Sequence, residues 1–265
     1  MHAANFAALG LAASYEAFDV TEAELPARLA DLQARGYTGA NLTIPLKARG
    51  LELVDEAKPR ARLLGGVNTI LFRPDGRRVG DNTDGFGFLA ALREAGCDGP
   101  AGVRVLVLGC GGTGRALALT AAQAGAAAVL LANRTAARAA DVAAALRAAC
   151  PGVPAEALPA DPAVWELAAR ACPLVVHTTS QGLQPGDAPL LTRRAFAAGQ
   201  WVFDAVYTEQ RTPILREAAQ AGARTLNGLG MLVHQGAESF RLWTGTEPDL
   251  AAMHAAVRER FSCRG

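Results

Sequence analysis

Apolar positions recur along the chain in two rhythms, short β-branched runs and longer helical stripes. Their alternation predicts an α/β protein with a largely parallel sheet. SYEAFDV (14–20) reads as a strand, and TEAELPARLADLQARG (21–36) as a helix with Thr21 as N-cap, Glu24 at N3 and Gly36 beyond its end. GANLTI forms the next strand, and PLKARGLELVDE a helix whose first turn carries Pro45. VNTILFRPDGRRVG predicts a hairpin turning at Pro74-Asp75-Gly76, and DGFGFLAALREAG a further helix. A Gly/Pro cluster from Gly96 to Gly102 then marks a candidate domain boundary. Beyond it a second series begins: strand VRVLVLG (103–109), a helix from the glycines that follow, strand AAVLLAN, and helix TAARAADVAAALRAA. LVVHTT (174–179), WVFDAV (201–206) and ARTLN (223–227) predict further strands.

Composition narrows the class. With 265 residues, 51% of them hydrophobic, the chain can bury a large core, and its net charge of +1 gives no footprint for nucleic acid or anionic membrane. No apolar run approaches the ~20 residues of a membrane span. The opening MHAANFAALG lacks the basic and apolar regions of a signal peptide. The five cysteines (Cys97, Cys110, Cys150, Cys172, Cys263) are scattered and odd in number, and with the four histidines show no metal-ligand spacing. The expectation is a cytoplasmic protein with reduced thiols and no metal.

Gly109-Cys110-Gly111-Gly112-Thr113-Gly114 fits G-x-G-x-x-G, and it follows a strand and opens a helix. Gly109 would permit the tight turn, Gly111 the approach of a pyrophosphate, and Gly114 the close helix–strand contact. The helix N-terminus adds free N–H groups and the positive dipole end. The alternative is a plain strand-to-helix turn. Where an NAD site carries an acid, this chain has Asn133-Arg134-Thr135, with Arg138 four residues after Arg134. Guanidiniums match a 2′-phosphate, so NADP is the expected cofactor; two solvated surface arginines are the alternative.

Polar residues gather where strands of the first half end: Asn41 and Thr43 with Lys47, Asn68 and Thr69, then Asn82, Thr83 and Asp84. Such a set suits a polyhydroxylated ligand at the carboxyl ends of strands. Lys47 and Asp84 form its one oppositely charged pair, and a Lys beside an Asp can relay a proton to an alkoxide made by hydride delivery. Taken alone, the pair also reads as a surface salt bridge.

In order, the chain carries GxxGxNLTxPxK, GxVNT, GxNTDGxGF, GxGGxxRA, NRTxxRA, a DxVY element and NGxxMLxxQGAxxFxxWTG, running from Gly36 through Gly245. This motif set resembles the shikimate/quinate dehydrogenase family, and its NADP-dependent shikimate branch in particular. The resemblance implies two domains. An N-terminal α/β substrate (catalytic) domain would span 1–98, with a C-terminal helix at 247–263 packing back on it. A Rossmann-type NADP-binding domain would span 99–246, the active site lying in the cleft between the two. It implies reversible NADPH-dependent reduction of 3-dehydroshikimate to shikimate, in aromatic amino-acid biosynthesis. Lys47 would be the catalytic Lys, facing the cleft from its helix's first turn, and Asp84 the residue that orients it and binds a ring hydroxyl. Thr43, Asn68 and Gln235 match substrate-hydroxyl contacts, and Tyr207 the Tyr near the substrate carboxylate. Gly109, Gly111, Gly112, Thr113, Gly114, Arg115, Asn133, Arg134, Thr135, Arg138 and Thr178 match the NADP site, and Gly228 and Met231 its nicotinamide side. The expected partner is a small-molecule substrate, with no nucleic acid or membrane, in a monomer or homodimer.

The departures from the pattern are specific. His177 begins HTTSQGL where the family has NxTxxGM, and is either a cofactor-side hydrogen-bonding group or a packed histidine. Cys110 replaces a small residue in the glycine turn, as a thiol activated by the helix N-terminus or as a small buried side chain. Thr208-Glu209 replace Asn-Pro after Tyr207. The family also opens with a strand and an HSxSPxxHN loop whose serines contact the substrate carboxylate, whereas MHAANFAALG aligns with that loop's end. Met1 is therefore expected to be an internal methionine of a longer protein, and the chain as given to bind shikimate poorly. The competing readings are a quinate/shikimate dehydrogenase of relaxed specificity, which would carry an acid at Arg134, and a catalytically silent NADP-binding paralogue.

Overall fold

The computed structural model describes residues 1–184, 186–208 and 211–262; Glu209 and Cys263 lie outside them. The chain divides into two compact units, Met1–Gly87 with Leu232–Arg260, and Phe88–Met231 with Phe261 and Ser262.

The first unit opens with α1 (His2–Ala8) and α2 (Leu25–Ala34), followed by β1 (Gly39–Asn41), α3 (Leu46–Glu52), β2 (Glu56–Ala57), α4 (Pro59–Leu64), β3 (Thr69–Phe72) and β4 (Arg78–Asp81). Helix α5 (Asp84–Glu94) leads out of it. The sheet order is β1-β3-β4-β2. It is mixed rather than largely parallel, because the β3–β4 hairpin and the β1–β3 pair are antiparallel and β2 alone runs parallel to its neighbour. Leu25, Leu29, Leu42, Leu46, Ala61, Val67 and Ile70 fill its core.

Residues 14–20 make no ladder, contrary to the alternation of SYEAFDV. A strand exists through its neighbour: β1 pairs with β3 on one side, and among the described residues no strand lies on its other side. Tyr15 and Phe18 stay exposed, and the segment is tied down by side chains instead, Tyr15 OH donating to Asn41 Oδ1 at 3.0 Å. The helix expected from Thr21 begins its ladder at Leu25. Pro26 has no N–H to donate back a turn, so the i→i−4 ladder cannot run through it. The capping box forms all the same: Thr21 N–H and Oγ1 donate to Glu24 Oε2 at 2.9 and 2.7 Å. Pro45 sits at the N-cap of α3, one position earlier than expected, and Lys47 falls in the first turn.

The second unit holds β5 (Arg104–Leu108), α6 (Gly112–Gln123), β6 (Ala128–Ala132), α7 (Ala136–Ala149), β7 (Ala155–Ala157), α8 (Pro162–Arg170), β8 (Leu174–His177), β9 (Trp201–Asp204), α9 (Pro213–Gln220) and β10 (Arg224–Asn227). All six strands are parallel, in the order β10-β9-β8-β5-β6-β7. That is the doubly wound arrangement of dinucleotide-binding domains, reversing direction between β5 and β8. Val105 through Leu108 are fully buried, as a central parallel strand covered on both faces must be. Helix α10 (Leu229–Thr244) returns the chain to the first unit, and α11 (Leu250–Ser262) closes it. There Asp249 N–H donates to Asn5 Oδ1 at 2.7 Å, anchoring the start of α11 beside α1. Among the described residues no helix is long and apolar enough to cross a membrane.

His2 is almost wholly buried, its ring stacked on Tyr15 at 4.4 Å between centroids and 5.6 Å from Trp243. Burial, then the neighbouring N-terminal charge, lowers its pKa from 6.5 to about 4. The native state thus holds His2 neutral while the unfolded chain takes up a proton near pH 6.5. Stability is fully present above that pH and is lost as pH falls towards 4. Each tenfold weakening of proton binding corresponds to about 1.4 kcal/mol, so the loss is on the order of 3 kcal/mol. Urea midpoints should fall between pH 7 and 4.5 in the natural chain and fall less in His2→Gln; parallel falls would place the titration elsewhere.

Candidate active site

Lys47 is fixed at its base before its ammonium does anything. Its carbonyl accepts Val67 N–H at 2.8 Å, and Gly66 lies so close that an added Cβ would stand 3.3 Å from Lys47 Cβ. The ammonium reaches Asp84 Oδ2 at 2.6 Å, with the Lys side chain 25% exposed and the Asp 6%. This is no surface pair: the carboxylate is buried and the lysine side chain keeps only partial exposure.

Asp84 is the first residue of α5, and its other oxygen accepts from Asn68 Nδ2 at 2.9 Å. Asn68 is a hub. Its Nδ2 also lies 3.0 Å from Thr83 Oγ1 and 3.2 Å from Gln235 Oε1, while its Oδ1 accepts Thr83 N–H at 2.9 Å and Thr69 Oγ1–H at 2.8 Å. Asn82 completes the turn, accepting Asp84 N–H at 3.0 Å and donating to Gly66 O at 2.8 Å. Of the residues expected around a hydroxylated ligand, Lys47, Asn68, Asp84 and Gln235 therefore meet in one network. Thr43 is exposed near the end of β1, and among the described residues its hydroxyl joins no hydrogen bond. Tyr207 belongs to the second unit, where Phe261 packs edge-on to its ring at 5.5 Å and burial raises its phenol's pKa.

The first unit also holds members that the sequence reading missed. Arg60 binds Asp81 through Nε at 2.5 Å and a second nitrogen at 2.9 Å, and reaches Glu238 at 3.2 Å. Asp81 in turn accepts Asn82 N–H at 2.7 Å, bracing the turn that presents Asp84. Ser239 Oγ contacts Thr69 Oγ1 at 2.7 Å and accepts Asn41 Nδ2–H at 3.0 Å. Their signal was on α10: Gln235, Glu238 and Ser239 recur at i, i+3 and i+4, a polar stripe on an otherwise apolar helix.

In the second unit Gly109 follows β5 with φ +101°, a conformation that L side chains rarely adopt. Gly111 is the N-cap of α6 in extended backbone, and a Cβ added at Gly111 or Gly112 would meet nothing within 4 Å. The turn thus leaves open space beside the N-terminus of α6, where a helix favours an anion. Gly114 is held for packing: a Cβ there would collide with the Gly109 carbonyl. Thr113 and Arg115 lie in the first turn of α6, with Arg115 N–H donating to Gly111 O at 2.8 Å. Thr178 Oγ1 donates to the Leu108 and Gly109 carbonyls at 3.1 and 3.0 Å.

Asn133 joins the turn to the next loop, accepting Cys110 N–H at 3.0 Å and donating to Thr135 O at 2.9 Å. Thr135 is the N-cap of α7; Arg134 and Arg138 flank it, both exposed, and among the described residues neither has an ion-pair partner. Cys110 is buried, and burial pushes its thiol up to about 11, so the small-buried reading applies rather than an activated thiol. His177 is buried too, between Asp204 and Thr179. Gly228 packs against the Ala205 carbonyl ahead of α10, and Met231 is buried in that helix's first turn.

A doubly wound nucleotide-binding unit, joined in one chain to an α/β unit carrying a part-buried Lys–Asp pair, defines a dinucleotide-dependent oxidoreductase. Residues 1–70 match the model of the shikimate dehydrogenase substrate binding domain, and 228–258 that of the shikimate 5′-dehydrogenase C-terminal domain. The NADP(+) shikimate dehydrogenase of Moorella thermoacetica is 44% identical over 98% of this chain and 87% of its own length. That of Methanosarcina mazei is 40% identical, covering 98% and 92%. A Thermus thermophilus shikimate 5-dehydrogenase, solved with NADP(H) and shikimate, superimposes with a TM-score of 0.85 at 40% identity over 97% of this chain and 92% of that one. The chain belongs to the shikimate dehydrogenase family.

The Asn68 hub carries the first site prediction. Asn68→Ala would strand a buried Asp84 oxygen and the Thr83 N–H, each at about 1–3 kcal/mol. Urea denaturation should show a loss of at least about 2 kcal/mol; an unchanged midpoint would mean that the network is not structural.

Proposed function

We propose that this chain is an NADP-dependent shikimate dehydrogenase, reducing the ring ketone of 3-dehydroshikimate. One observation carries the chemistry: an ammonium 2.6 Å from a buried carboxylate whose second oxygen is separately held. Asp84 keeps Lys47 aimed, and Lys47 protonates the oxygen as the alkoxide forms, or takes the proton back in the reverse direction. Asn68 and Gln235, beside that pair, have the amide chemistry to read ring hydroxyls, with Thr43 at the rim. The first unit is the substrate domain and the second the cofactor domain. For Tyr207, the family resemblance alone supports a role at the substrate carboxylate.

NADPH, when bound, supplies the hydride. The residues fit it: Gly111 and Gly112 leave room at a helix N-terminus, and Arg134 and Arg138 present two exposed guanidiniums at the next strand's end, the chemistry of a 2′-phosphate clamp. Gly228 and Met231 serve the nicotinamide side. The quinate reading would place an acid where Arg134 stands. The enzyme is expected to act in the cytoplasm, as a monomer or homodimer.

The assay is NADP reduction by shikimate, beside quinate and NAD controls; turnover with quinate and NAD alone would overturn the assignment. Lys47→Ala should lower kcat by ~100-fold or more, the scale of a lost general acid–base, with KM for shikimate little changed. Loss of affinity at full rate would make Lys47 a binding residue. Replacing Arg134 and Arg138 by Gln should weaken NADP at least ~10-fold and NAD hardly at all, since only NADP carries the phosphate they pair with. Equal losses would assign the arginines to structure.

A further inference from the structure

His177 and Asp204 are paired residues of adjacent parallel strands, β8 and β9, both essentially inaccessible. The proton relay of Lys47 and Asp84 uses neither. His177 Nδ1 lies 2.8 Å from Asp204 Oδ1, and Nε2 lies 2.5 Å from Thr179 Oγ1. Asp204 Oδ1 also accepts Val206 N–H at 3.0 Å, and its Oδ2 accepts Thr212 Oγ1–H at 2.5 Å. Thr179 Oγ1 accepts Gln181 N–H at 3.2 Å, so its own proton is free to go to the imidazole. One assignment satisfies every group: Nδ1–H donating to the carboxylate, and Nε2 accepting from Thr179.

This pair holds a wall of the glycine turn. A Cβ on Gly109 would stand 2.8 Å from Thr178 Oγ1 and 2.9 Å from Thr179 Cγ2, so both threonines lie directly against the first glycine. Thr212, the third partner, is the N-cap of α9, and the bend from Asp204 to Val206 leads into Tyr207. In a doubly wound domain the dinucleotide spans the switch point. With Arg134 and Arg138 beyond β6, the adenosine half would lie on that side and the nicotinamide half over β8 and β9.

We propose that His177 and Asp204 are positioning residues for the nicotinamide half of the cofactor, acting through Thr179 and the Thr178–Gly182 loop. The proposal rests on the NADP reading above, so the test separates the two. NADP and adenosine 2′,5′-bisphosphate, which fills the adenosine half alone, are titrated calorimetrically against the natural chain, His177→Asn and Thr179→Val. His177→Asn keeps a donor towards Asp204 but cannot reach Thr179; Thr179→Val keeps the shape of Thr179 and removes its hydroxyl. The expected result is ~10-fold weaker NADP in both variants, with the bisphosphate unchanged and the fold intact by circular dichroism. Equal weakening of both ligands in Thr179→Val, or no change in either, would overturn the positioning role. Failure of the natural chain to bind NADP would overturn the cofactor reading itself, and this proposal with it.

Discussion

A carboxylate that holds an ammonium in place must itself be fixed, and Asn68 fixes Asp84. With one oxygen on Asn68 and the other on Lys47, the Asp84 side chain has no rotational freedom left. The rest of the first unit is arranged around that constraint. Thr69 and Thr83 fix the Asn68 amide, Asn82 and Asp81 shape the turn, and Arg60 braces Asp81. Almost every member is buried, where a hydrogen bond is strong and its absence costly. Lys47 and Arg60 keep partial exposure.

The second unit presents a different kind of surface. Around its glycine turn that surface is backbone rather than side chain. Gly109 supplies a left-handed turn, Gly111 and Gly112 supply space, and Gly114 lets α6 approach the turn. Side chains appear behind this surface, where Thr178 and Asn133 pin the turn to the strands on either side.

How much of this was legible depended on whether a feature was local. The parallel strands of the second unit were, because burial on both faces writes a continuous β-branched run such as VRVLVL, and the glycine turn was, because its spacing is the mechanism. Residues 14–20 misled because alternation states which faces a strand would have, not whether a neighbour exists to pair with it. The two-residue β2, the short β7 and the helices α4 and α8 are too brief or too Ala-rich to stand out from their surroundings. Lys47 and Asp84 were recognisable as a charged pair, yet the reason that pair is not an ordinary salt bridge lies in Asn68 and Gln235, separated by 167 positions. His177 and Asp204 likewise become neighbours only through the register of β8 on β9.

The two arginines after β6 differ from Lys47 and Asp84 in standing in open water. Lys47 and Asp84 interact in a partly excluded pocket and are shielded from dissolved ions, whereas Arg134 and Arg138 are not. At physiological ionic strength the Debye length is about 8 Å, and it shrinks as salt is added. On the proposed reading, a 2′-phosphate held by these side chains would compete with the anions of the medium, while a pyrophosphate at the glycine turn, met by backbone dipoles, would be far less affected. Discrimination between phosphorylated and unphosphorylated cofactor would then be a property of protein and solvent together. It would be sharpest in dilute buffer and be worn down by salt.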